Sequence, residues 1–156
     1  MADLAALIAG WAKPGRLEWI GLRPDRRADV QPVDNVLISA DGLEGDRARA
    51  GKRAVTLIQQ EHLVAIGSYL GRGPVAPEIL RRNLVVSGIN LAALKGREVQ
   101  VCEAILRFTV ICAPCSRMED AFGKGGYSAV RGHGGWCAEV VKPGRVKLGD
   151  VVQPVD

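Results

Sequence analysis

Aromatic residues make up only 4% of this 156-residue chain, and histidine occurs twice, as His62 and His133. No apolar run approaches the roughly 20 residues that a membrane-spanning helix needs. The stretch from Met1 to Trp11 is apolar but has no basic leader and no cleavage site, so no secretory signal is expected. There is no Gly-x-Gly-x-x-Gly after a strand and no P-loop lysine, and no nucleophile-elbow pattern supports a Ser-His-Asp hydrolase. Net charge is +4, from 21 basic and 17 acidic residues, too mild for a nucleic-acid partner. Cysteine is sparse as well. Cys102, Cys112, Cys115 and Cys137 are too few for a disulfide scaffold at this length, and the expectation is a cytoplasmic protein with reduced thiols.

Glycine (19) and proline (8) are plentiful and punctuate short apolar runs throughout. With 47% hydrophobic residues the chain supports one real core, and no repeat or boundary divides residues 1–156. Strands are expected at Leu17–Leu22, Val36–Ile38, Arg53–Ile58, Leu84–Ser87, Val99–Cys102, Ala104–Ile111, Trp136–Val141, Arg145–Leu148 and Val151–Val152. Leu63, Ile66 and Leu70 set the clearest helix, Glu61–Leu70, with a second short one over Ala2–Gly10. Gly123 to Gly135, with six glycines, reads as the loosest part of the chain. Strands at both ends predict a mostly β fold: a closed, antiparallel-rich β-barrel with a few short helices, since closure removes exposed edges.

The chemistry centres on Ile111-Cys112-Ala113-Pro114-Cys115-Ser116-Arg117-Met118-Glu119. Thiolates are soft ligands and strong nucleophiles, and nearby cations such as Arg117 promote them. Cys112-x-x-Cys115 with His133-x-x-x-Cys137 also makes a C-x2-C…H-x3-C set suited to tetrahedral zinc, hence to a non-enzymatic binding module. A thioredoxin-like reading of C-x-P-C is disfavoured, because the pair comes late and among strands. Cys102 reads as a small buried hydrophobe in a strand. A second constellation is basic: Arg47, Arg49, Lys52 and Arg53 flank one loop, and Arg81-Arg82-Asn83 sits at a helix-to-strand junction. Guanidinium forks bind phosphate bidentately, although any one of these arginines is by itself an ordinary surface residue.

Several segments stand out when taken in order: Gly42-Leu43-Glu44-Gly45-Asp46-Arg47, Val55-Thr56-Leu57-Ile58-Gln59-x-Glu61, Arg81-Arg82-Asn83 through Leu91, Cys112-Ala113-Pro114-Cys115-Ser116-Arg117-Met118-Glu119, and Gly149-Asp150-x-Val152. Together, over about residues 17–153, they resemble the MOSC family, named for the C-terminal domain of molybdenum-cofactor sulfurases. The resemblance implies a pyruvate-kinase-like β-barrel that binds molybdenum cofactor, a molybdopterin carrying a dithiolene and a phosphate. It implies Cys115 as the metal ligand or sulfur-handling thiol, and Arg81, Arg82 and Asn83 as cofactor contacts, helped by Arg47 and Arg53. Family members often carry His after Gly-Asp-Arg; this chain has Ala48. The pyridoxal-phosphate domain of the sulfurases is not expected here. Stand-alone members resemble either reductases of N-hydroxylated compounds, fed by a separate redox partner, or carriers that deliver sulfur or cofactor to another enzyme. No nucleic-acid or membrane partner is implied, and the substrate of a reductase would be a small molecule.

Overall fold

Side chains alternate across each strand, and that alternation sorts the apolar residues into two layers. The computed structural model describes residues 3–155. Its strands are β1 (Gly15–Leu22), β2 (Gln31–Val33), β3 (Asn35–Ser39), β4 (Gly42–Leu43), β5 (Val55–Gln59), β6 (Leu84–Ser87), β7 (Glu98–Val101), β8 (Ala104–Ile111), β9 (Trp136–Lys142), β10 (Gly144–Lys147) and β11 (Val151–Pro154). Seven of them follow the order β11-β7-β8-β9-β5-β6-β1, and β1 pairs back onto β11 to close a barrel, with β2 appended to β1. Within this sheet only β5 and β6 pair in parallel. A small sheet, β10-β3-β4, stands beside the barrel. The expected closed, antiparallel-rich β-barrel is the observed one.

A parallel pair needs a long crossover, and here it carries two helices, α2 (Gln60–Tyr69) and α3 (Pro77–Leu80). The other helices are α1 (Leu4–Ala9), α4 (Ser116–Phe122) and α5 (Gly126–Val130), with a 3-10 turn at Leu91–Leu94. Strand β5 shows how the layers arise. Val55 and Leu57 point into the barrel with Leu17, Ile20, Leu84, Leu106 and Phe108, while Ile58 points outward beneath the helices with Leu63, Ile66, Leu80, Met118 and Val130. All five β5 residues are buried, as expected for a strand covered on both faces. A register shift in β1 between Leu17 and Trp19 lets Leu17 and Ile20 face inward while Trp19 packs under the helices.

Three expectations need correction. Gly123 to Gly135 is not simply loose: it contains α5, whose Gly126, Ala129 and Val130 are buried. Gly126 lies so close to α4 that a Cβ there would come 2.3 Å from the Met118 carbonyl oxygen, so the small residue is what lets the helices approach. Cys102 lies just beyond β7 in the β7–β8 turn, half-buried and with φ of 49°, rather than within a strand. The stretch between the strands expected at Leu17–Leu22 and Val36–Ile38 also contains β2, whose exposed Gln31 and Pro32 give no apolar signal. The Ala2–Gly10 helix runs Leu4–Ala9, and Ala2 lies outside the described residues.

Candidate functional site

Strands β1 and β5 and the loop after β4 meet around a buried polar residue, Asn83, which is fully shielded from solvent. It sits immediately before β6, opposite β5. Its Oδ1 accepts from the Thr56 backbone N–H at 3.0 Å and from the Thr56 hydroxyl at 3.2 Å. Its Nδ2 donates to the Gly21 carbonyl and to Asp46 Oδ1, both at 3.1 Å. Asp46 in turn accepts from the Arg23 backbone N–H at 2.7 Å and from Arg23 Nε at 3.1 Å, while Arg23 Nη2 reaches its Oδ2 at 2.9 Å. The Asp46 side chain is 0% exposed and that of Arg23 11%. Burial alone would raise the Asp46 carboxyl, but its hydrogen bonds and charge contact with Arg23, together with the Ala48 N–H, hold it below the usual carboxylate range. Asn83 therefore has its whole side chain engaged inside the protein, tying the first basic loop to β5 and β6.

The arginines divide around this layer. Arg81 caps α3 in the left-handed region, φ 57°, a reversal that separates its side chain from that of Arg82. Its guanidinium donates to the Ala28 carbonyl at 2.6 Å and the Asp25 carbonyl at 3.0 Å. Burial lowers the Arg81 pKa first, and the charges of Arg23, Arg47 and Arg117 lower it further, only partly opposed by Asp46. Arg23, Arg47 and Arg117 thus lie near enough for their charge to act on Arg81, an arrangement that favours an anion. Arg82 is buried; its Nε donates to Gly134 O and its Nη1 to Leu80 O, each at 2.7 Å. Arg47 and Arg53 are exposed.

The thiols also divide. Cys115 is exposed as the N-cap of α4, makes no side-chain cap hydrogen bond, and has Arg117 in the following turn. Cys112 is half-buried, and its Sγ lies 3.3 Å from Sγ of the buried Cys137. The Cys112 thiol hydrogen-bonds to Cys137 and, with Arg53, Arg82 and Arg23, pulls the Cys137 pKa down to about 7 against the cost of burial. The same contact pushes Cys112 upward. The pair is adapted to hold one negative charge. Gly134 and Gly135 lead into β9 beneath the Cys112 loop. A Cβ on Gly134 would stand 2.6 Å from Cys112 O, and one on Gly135 2.0 Å from Leu57 O, so both positions require glycine.

The zinc set does not assemble. Among the described residues no group of three or more His, Cys, Asp or Glu side chains is placed to hold a metal ion. Cys112 and Cys137 meet, whereas His133 turns to other aromatic rings. It stands edge-on to His62 at 4.7 Å between centroids and 5.6 Å from Tyr69, with its Nδ1 buried and unpartnered. Beside the thiols a solvent-open cleft is lined by Gln59, His62, Ile111, Cys112, Pro114 and Trp136, among others. His62 is kept toward its neutral form by burial and by His133, against the pull of Glu61.

A model of the MOSC domain matches residues 40–153. The chain belongs to the MOSC domain family. Its fold is also that of solved structures: the YuaD protein from Bacillus subtilis aligns at TM-score 0.79 and 19% identity, covering 92% of this chain and 97% of that one. YiiM from Geobacillus stearothermophilus aligns at TM-score 0.75 and 18% identity, over 92% of this chain and 76% of its own. YiiM from Escherichia coli aligns at TM-score 0.71 and 21% identity, over 90% and 70%. No curated protein matches the sequence. The MOSC family is associated with molybdenum cofactor.

Arg23 and the carboxylate of Asp46 were not singled out by sequence reasoning. The Gly45-Asp46-Arg47 motif, an acid between glycine and arginine, marks Asp46 as a candidate partner for a cation, but nothing local marks Arg23, just past β1, as that cation.

Proposed function

We propose that this protein binds molybdenum cofactor, with Cys115 as the thiolate that meets the metal and Arg47, Arg81 and Arg117 as the cations that meet the cofactor's anionic phosphate. The observation that carries this reading is the exposed Cys115 thiol on the same segment as Arg117, whose charge joins those of Arg23 and Arg47 at Arg81. The donor set suits the group: a soft sulfur for a soft-ligated metal, and guanidinium forks for a phosphate. The bound cofactor would supply two-electron and oxygen-atom chemistry.

The protein's own residues do the positioning. Asp46 and Asn83 hold Arg23 in place, so the basic surface is set before any ligand arrives. Arg81 is anchored by two carbonyls and keeps further N–H donors for an anion. Arg82 fixes the Gly134 turn beneath the Cys112 loop. Arg53 lies on the Cys137 side, and its charge acts on that thiol.

Reduction of small N-hydroxylated compounds is the activity this arrangement serves, with electrons from a separate redox protein. The exposure of Cys115 also suits a carrier, in which the same sulfur holds a transient persulfide for an acceptor enzyme. The test is anaerobic titration of metal-free protein with isolated molybdenum cofactor, wild type beside Cys115→Ser, followed by mass analysis of Cys115. Stoichiometric binding that needs Cys115, with no added sulfur on that residue, supports the reductase. Transfer of the terminal sulfur of an added small-molecule persulfide to Cys115, with the donor's thiol leaving, supports the carrier. Failure of the wild type to bind rejects the reductase, and failure of Cys115 to take up sulfur rejects the carrier.

A further inference from the structure

The closest pair of sulfurs lies apart from Cys115. We infer that Cys112 and Cys137 are a second thiol site, a dithiol couple that small hydroperoxides convert to an intrachain disulfide. The two Sγ atoms are already in contact at 3.3 Å, and closing to a disulfide takes an approach of about 1.2 Å more. Ile111 pairs with Trp136, and the Cys112 N–H donates to Gly135 O at 2.9 Å, so the cysteines are diagonal neighbours across β8 and β9. Cys112 lies one residue beyond β8, where the register is irregular after Phe108, and the adjustment falls on that loop. Both side chains lie within the field of Arg82 and Arg23, and Cys137 also in that of Arg53, which favours a thiolate in the pair.

Access is built in. Cys112 lines the solvent-open cleft beside Pro114 and Trp136, while Cys137, 4% exposed, sits behind it. A hydroperoxide entering the cleft meets Cys112 first. As the Cys137 thiolate takes its proton, the Cys112 sulfur attacks one peroxide oxygen and the O–O bond breaks. Hydroxide, or alkoxide from an organic hydroperoxide, leaves and takes up a proton from solvent, and Cys112 becomes a sulfenic acid. Cys137 then attacks that sulfur; the S–O bond breaks, water carries off the Cys137 proton, and the S–S bond forms. The two thiols lose two electrons and the peroxide gains them. The new bond ties the segment leading to Cys115 onto the barrel wall.

The test is treatment of the full-length protein with hydrogen peroxide, then alkylation, proteolysis and mass spectrometry, with Cys115→Ser alongside wild type. The inference expects a Cys112–Cys137 cross-link within one chain in both proteins, with two alkylatable thiols lost per chain and regained on reduction with dithiothreitol. A Cys112–Cys115 bond or an intermolecular Cys115 disulfide as the main product overturns it. So does oxidation of Cys115 that leaves Cys112 and Cys137 fully alkylatable. Because the readout is made on wild type, it does not depend on whether a Cys137 variant folds. Molybdenum is not involved, so the result stands apart from the cofactor titration.

Discussion

The buried layer around Asn83 and the exposed rim at Cys115 use the same residue types for opposite purposes. In the layer, Arg23 is matched by Asp46, Asn83 has every side-chain group engaged, and Arg82 is fixed by two carbonyls. At the rim, Arg47 and Cys115 are exposed, and Arg81, though also held by two carbonyls, is only half-buried and feels the charges of neighbouring arginines. Buried, matched groups build structure, and groups left with open donors near solvent are available to a ligand. The difference teaches that a motif such as Arg81-Arg82-Asn83 is not one functional unit: one arginine faces the rim, while the other and the asparagine face inward.

The comparison breaks most clearly at Asp46. Asp46→Ala leaves Arg23 buried without its partner, a loss of about 3–5 kcal/mol of stability, read as a lower denaturant midpoint. Asn83→Ala comes next. It removes a hub that serves Thr56, Gly21 and Asp46, and about 1–3 kcal/mol is expected from the groups left unsatisfied. If either variant keeps wild-type stability, the division between layer and rim is wrong.

Acid sharpens the same contrast. The folded Asp46 carboxyl lies below its unfolded value of 3.8, so its contribution is complete above that pH and fades as pH falls through the lower folded value. Unfolding followed from pH 6 downward should lose less stability in Asp46→Asn than in wild type, because the variant has no such carboxylate to protonate. The smallest effect on folding belongs to the rim. Arg47→Ala should shift stability by no more than about 0.5 kcal/mol, while weakening affinity for the cofactor or for inorganic phosphate about tenfold. Equal phosphate affinity in wild type and variant would remove Arg47 from the site.

Local pattern made much of the fold legible. The apolar run Leu84–Ser87 and the longer Ala104–Ile111 fall where strands were expected, and the main helix, Gln60–Tyr69, is displaced by one residue. What escaped was decided by distant partners. Arg23 and Asp46 are 23 positions apart, and neither has an unusual neighbourhood in sequence. Helix α5 was hidden by glycines that permit close approach to α4. The C-x2-C…H-x3-C spacing did point to neighbouring thiols. It could not show that His133 packs against His62, or that Cys115 faces solvent while Cys112 meets Cys137.

The most direct measurement compares molybdenum retained per folded chain by Cys115→Ser and Cys137→Ser after loading with isolated cofactor and gel filtration under anaerobic conditions. The account predicts that Cys115→Ser stays folded and loses the metal, whereas Cys137→Ser keeps it. Retention by Cys115→Ser with loss in a folded Cys137→Ser would contradict it and move the cofactor thiol from the rim to the buried pair.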